Sequence, residues 1–147
     1  MNMKNLFLLL VCGLCFQSVG SFAQGYKIQV NIPQMSNKQV ILANYFEGKV
    51  YAVDTAQINS NGTGYFQKNN KKLARGMYIL LFSPSNYFDI MIGDNQNFSI
   101  TTDTLQVIDK IRFEGSPENT AFLGFQKVMT SATQKSRQIK EAMEKDP

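Results

Sequence analysis

The chain has 147 residues, about one domain's length, with 15 Lys and Arg against 11 Asp and Glu for a formal charge of +4. It contains no His, which excludes Ser-His-Asp and Cys-His catalysis and any His-ligated metal. At 44% hydrophobic and 18% charged, it is not the composition of a disordered tail.

Residues 1–23 read as a secretory signal peptide. Lys4 supplies the positive start, Leu6 to Phe16 the apolar run, and Ser21-Phe22-Ala23 the small residues before a cut at Gln24. The apolar run is shorter than the ~20 residues needed to span a bilayer, so no stable membrane anchor is expected after cleavage. The expected location is the periplasm or cell envelope. Both cysteines, Cys12 and Cys15, lie inside this segment. Their C-x-x-C spacing lacks the strand-to-helix context that lowers a thiol pKa, so it is not read as a redox motif. The exported chain then enters an oxidising compartment without a disulfide and has to be held together by its core.

From residue 24 to residue 115 the pattern is that of strands. Tyr26 to Ile32 alternates strictly, with Ile28, Val30 and Ile32 on one face. Gln39 to Tyr45 is apolar on both faces and reads as a central, buried strand. Glu47-Gly48 makes a two-residue hairpin turn into Lys49 to Ile58. Asn59-Ser60-Asn61-Gly62 predicts a type I′ turn before a short strand at Gly64 to Gln67. Gly76 to Phe82 is a second two-sided apolar run. Tyr87 to Ile92, Asn97 to Thr101 and Ile108 to Glu114 complete about eight short strands. With turn signals every 8–12 residues and no helical pattern between them, the fold class is mainly β, an antiparallel β-sandwich.

Residues 116–147 change character. Ser116 is placed to cap a helix, Pro117 suits its first position and Glu118 its positive end. Phe122, Phe125, Met129, Ala132, Ile139 and Met143 recur at spacings that form one stripe of an amphipathic helix. Phe122 and Phe125 are expected to pack on the end of the sandwich. The later half, with Ile139 and Met143, is expected to project and either fray, self-associate with a second copy, or meet a downstream domain. The Lys145-Asp146-Pro147 ending has no C-cap, which reads as a cloning or gene boundary rather than a natural domain end.

No residue set announces chemistry. Asp54, Asp89, Asp94, Asp103 and Asp109 are scattered, and no pair is marked for acid–base work. Asp94-Asn95-Gln96-Asn97 offers oxygens but lacks the spacing and final Glu of a calcium loop, so it reads as a turn. Lys68, Lys71, Lys72 and Arg75 form a basic cluster with only Tyr65 and Phe66 nearby, and no nucleic-acid partner is expected. Tyr45, Tyr51, Tyr65, Tyr78 and Tyr87 suit either sheet packing or an aromatic glycan-binding face. Catalytic residues, metal ligands and cofactors are all expected to be absent.

The stretch from Tyr26 to Phe125 resembles a β-domain of unknown function. That domain stands in front of thioredoxin-like modules in exported bacterial thiol–disulfide oxidoreductases. Tyr26 to Val30, Val40 to Ala43, Gly48 to Tyr51, Asp54 to Ala56, Asn61 to Phe66 and Gly76 to Leu80 carry the resemblance in order. Phe113-Glu114-Gly115-Ser116-Pro117-Glu118-Asn119 is its most distinctive piece. The resemblance implies a non-catalytic accessory domain that positions, dimerises or presents partners to a redox module. The alternative is a stand-alone envelope module for a glycan or peptide.

Overall fold

The computed structural model describes residues 25–145. The expected signal peptide, residues 1–23 with Cys12 and Cys15, lies outside the described residues. The strands are β1 (Tyr26–Asn31), β2 (Gln39–Phe46), β3 (Lys49–Gln57), β4 (Thr63–Lys68), β5 (Gly76–Ser83), β6 (Asn86–Ile92), β7 (Asn97–Thr101) and β8 (Arg112–Glu114). A 3₁₀ turn at Pro33–Met35 follows β1. A short helix α1 (Val107–Lys110) precedes β8, and a long helix α2 (Pro117–Lys145) follows it.

The strands form two four-stranded sheets. Sheet A has the order β4-β1-β7-β8 and sheet B the order β3-β2-β5-β6. The expected mainly β sandwich with a C-terminal helix is therefore the fold. One pairing departs from the antiparallel expectation: β1 runs parallel to β7, with Ile28 beside Phe98 and Val30 beside Ile100. Strand direction is set by how the intervening chain crosses between sheets, which alternation alone does not encode.

The inner faces meet in one core. Sheet A contributes Tyr26, Ile28, Val30, Phe66, Phe98 and Ile100, and sheet B contributes Val40, Leu42, Tyr78, Leu80, Phe88 and Ile90. Burying each such side chain contributes about 1.5–3 kcal/mol.

Two turns differ in kind. Glu47 and Gly48 both take positive φ, 50° and 75°, as a type I′ hairpin requires. At Asn59–Gly62 only Gly62 does so, with φ 82°. The expected type I′ turn is replaced because the Asn59 side chain accepts the Asn61 and Thr63 N–H groups and organises the bend itself.

The strand expected over Ile108 to Glu114 is shortened to Arg112–Glu114. Asp103 Oδ1 accepts the N–H groups of Leu105 and Gln106 at 2.9 and 2.6 Å, which curls the chain into α1.

Candidate functional site

The outer faces of the two sheets are unlike each other. Sheet A presents Lys27, Gln29, Gln67, Ser99 and Glu114, with the Lys27 ammonium 5.3 Å from the centre of the Tyr65 ring. That is the polar, solvated face an antiparallel sheet normally offers.

Sheet B presents an apolar one. Register places Ile41 beside Leu81 and Leu81 beside Tyr87 in one row across the strands. The next row runs Ala52, Ala43, Ile79, Asp89. Met77 pairs with Met91, and Val50 with Tyr45, beyond it. Tyr45, Tyr87, Met77 and Val50 are 45–53% exposed, while Ile79 at the centre is 1% exposed beneath its neighbours. A groove of about 170 Å³ opens on this side between Ile41, Leu81, Phe82 and Pro84. The two-sided apolar runs in β2 and β5 are thus explained only on one side. Their inner residues enter the core, and their outer residues meet no covering layer among the described residues.

Asp89 is the one carboxylate or ammonium among the outward strand residues of this face. Burial pushes its carboxyl above the ordinary value. Desolvation, then the proximity of Asp89 and Tyr87, raises the Tyr45 hydroxyl as well. Of the five tyrosines that suit a ligand face, Tyr45 and Tyr87 therefore share the outer face of sheet B, on β2 and β6 with β5 between them. Tyr51 lies on the other side, edge-on to Phe46 at 6.4 Å, and Tyr78 is buried with its hydroxyl donating to the Ala74 carbonyl at 3.0 Å.

Helix α2 docks on sheet B's edge strand β6 through a residue that pattern reading overlooked. The Asn119 side chain is fully buried. Its Oδ1 accepts the Met91 N–H and its Nδ2 donates to the Met91 carbonyl, both at 2.7 Å. Ser116 serves this arrangement: its Oγ accepts from Asn119 Nδ2 at 2.8 Å. Leu123 enters the core one turn later, and Gln126 reaches the groove beside Asn86, Leu105 and Ile108.

The apolar stripe sits elsewhere on this helix. Phe125 is two residues past Leu123, so roughly 200° around it. It is 59% exposed, and its ring stacks only on half-buried Phe122, at 6.5 Å. The expectation that Phe125 packs on the sandwich end is thereby corrected. Met129, Ile139 and Met143 are 49%, 61% and 70% exposed. Periodicity found an apolar stripe, but a polar residue, Asn119, orients the helix and turns that stripe outward.

The remaining candidates are occupied by structural work. Asp94 pairs with Arg75 at 3.1 Å, and Asn95 Nδ2 donates to the Gly115 carbonyl at 2.6 Å. The Gln96 amide is locked to both backbone groups of Leu73. A polar cleft of about 340 Å³ lies beside them, lined in part by Lys27, Lys68 and Lys72. Among the described residues no cluster of three acidic or sulfur groups is placed to hold a metal ion.

No curated protein matches the chain. Residues 26–122 match the family described as Domain of unknown function (DUF4369), from the first residue of β1 to the second turn of α2. The match takes in both sheets and the Asn119 dock that joins the helix to them, so the chain belongs to the DUF4369 family.

Proposed function

We propose that this chain is a non-catalytic accessory domain of an exported thiol–disulfide oxidoreductase, working in the periplasm or cell envelope. The observation that carries the reading is the uncovered apolar face of sheet B, accompanied by a projecting apolar helix stripe. Surfaces of this kind belong to a domain that holds other proteins in place. The order of strand segments that resembles the domain in front of thioredoxin-like modules supplies the redox context. The chain itself takes no electrons in this reading, because its cysteines belong to the cleaved export segment.

The test uses the protein isolated from the cell envelope and, separately, the chain from Gln24 to Pro147. The native protein is expected to begin at Gln24 by intact mass and to carry peptides of a thioredoxin-like sequence with a C-x-x-C beyond Pro147. The isolated chain is expected to reduce insulin in dithiothreitol no faster than the reagent alone. A native protein that ends at Pro147, or insulin turnover by the isolated chain, overturns the reading.

A second reading is favoured by the exposure of Tyr45 and Tyr87 on the same sheet face as Asp89. Two exposed rings and a carboxylate on a flat face suit a stand-alone glycan- or peptide-binding module. Glycan-array binding that Tyr45→Ala and Tyr87→Ala each abolish would establish it.

A further inference from the structure

Among the described residues two apolar surfaces stand uncovered, and they are complementary. The first is the outer face of sheet B, whose charge is the single carboxylate of Asp89. The second is the stripe of α2 beyond Lys127, formed by Met129, Ala132, Ile139 and Met143. At 100° per residue, Lys135 and Lys140 border this stripe on its two sides, each roughly 70° from its centre. A basic-edged apolar ridge therefore matches an apolar face that carries one carboxylate on its β6 edge.

The two surfaces cannot meet within one molecule. The side of α2 that carries Asn119 and Leu123 is held against β6 and the core, and the stripe lies on nearly the opposite side. The helix runs unbroken from Pro117 to Lys145. Its stripe consequently faces away from the sheet that anchors it.

We infer that the chain forms a reciprocal dimer in which the distal half of α2 from each copy lies across the outer face of the other copy's sheet B. The dimensions agree. Met129 to Met143 spans about 21 Å at ~1.5 Å per residue. A four-stranded sheet is about 14 Å wide at ~4.8 Å per strand step, and its eight-residue strands are about 26 Å long. A helix laid on a sheet is one of the stable layer arrangements, and it gives β2 and β5 the second covered face that their two-sided apolar runs require. The groove at Ile41, Leu81 and Pro84 is a seat for one side chain of the ridge. Exchange in both directions gives the closed two-fold symmetry most dimers adopt. This inference deepens the accessory-domain reading by naming a partner for its surfaces. It uses only residues within the chain, so its failure leaves the redox association untouched, and the loss of that association leaves the dimer standing.

Light scattering on the chain from Gln24 to Pro147 tests it. The wild-type chain is expected to be a dimer at micromolar concentration. Ile139→Asp with Met143→Asp on the ridge, and Met77→Lys on the sheet, are each expected to give monomers with unchanged β-sheet circular dichroism. Both ridge positions and Met77 are already solvent-exposed, so neither variant disturbs the core. Asp89→Lys is expected to weaken dimerisation at least tenfold, and adding Lys135→Glu and Lys140→Glu to it is expected to restore most of that loss. A wild-type monomer at hundreds of micromolar overturns the proposal. So does a dimer that the ridge variants abolish and Met77→Lys leaves intact, because that pattern means helix pairing with helix.

Discussion

Asn119 shows how one polar side chain decides an interface. Its amide presents one acceptor and one donor at the spacing of a peptide group, so it pairs with the open edge of β6 as another strand would. Gln96 does the same for the loop residue Leu73, with Leu73 N–H donating to its Oε1 at 2.8 Å and its Nε2 donating back to the Leu73 carbonyl at 2.9 Å. Removing such a group leaves backbone donors and acceptors unpaired in a partly dry place, at a cost of about 1–3 kcal/mol. Asn119→Ala is expected to lower the stability of the chain by that amount in urea titrations, whereas Asn95→Ala in the exposed turn is expected to lose less. Asp89 behaves in the opposite sense. Its carboxyl is raised in the folded state by burial, so the folded chain holds that proton more tightly than the unfolded one. Its contribution to stability is full at pH values below the unfolded pKa and falls as pH rises through the raised folded value. Asp89→Asn, placed in the monomeric Ile139→Asp, Met143→Asp background, is therefore expected to match its parent near pH 3 and to melt at a higher temperature than its parent at pH 7. Tyr45, whose hydroxyl is raised above its ordinary value on that face, stays neutral across this range.

Helix α2 is two elements in one. Its first three turns carry Asn119, Phe122, Leu123 and Gln126 toward β6, α1 and β8, while residues 128–144 are exposed. Helical propensity holds the second part only marginally without a partner. Two large apolar residues near the join separate the cases. Leu123→Ala empties a site that is 8% exposed and part of the core, and is expected to cost about 2–5 kcal/mol. Phe125→Ala, at a site 59% exposed, is expected to change the stability of the monomeric variant by no more than about 0.5 kcal/mol. Equal losses at the two sites, measured by urea unfolding, would contradict the orientation that Asn119 imposes. At the opposite end of the fold, the hairpin β2–β3 extends past the core, and its Phe46 and Tyr51 rest chiefly on each other.

Across the whole molecule, a single core joins both sheets and the start of α2. Tyr26 on β1 donates to Asp54 Oδ2 on β3 at 2.7 Å, and Phe88 on β6 lies 6.5 Å from Phe113 on β8, so the two sheets are tied at both ends. A shared core predicts one cooperative transition. Tyrosine fluorescence and near-UV circular dichroism are expected to report the same urea midpoint for the monomeric variant, and two separate midpoints would show that the sheets unfold independently.

The alternation of Ile28, Val30 and Ile32, the turn at Glu47-Gly48 and the stripe after Pro117 were legible as strand, hairpin and helix because each is a local pattern of 2.0- or 3.6-residue period. The two-sided apolar runs in β2 and β5 were legible as strands that bury both faces. Which surface remains uncovered was not legible, because it depends on how far the rest of the chain wraps around them. The parallel pairing of β1 with β7 depends on crossovers many residues away and leaves no local trace. The role of Asn119 was hidden for the same reason: a single asparagine in the first turns of a helix looks solvated until the open edge of β6 is brought beside it. Short-range periodicity therefore decided which elements exist, and long-range packing decided which of their faces are left for a partner, since hydrophobic burial depends on what lies across space from a residue and not on what adjoins it in the chain.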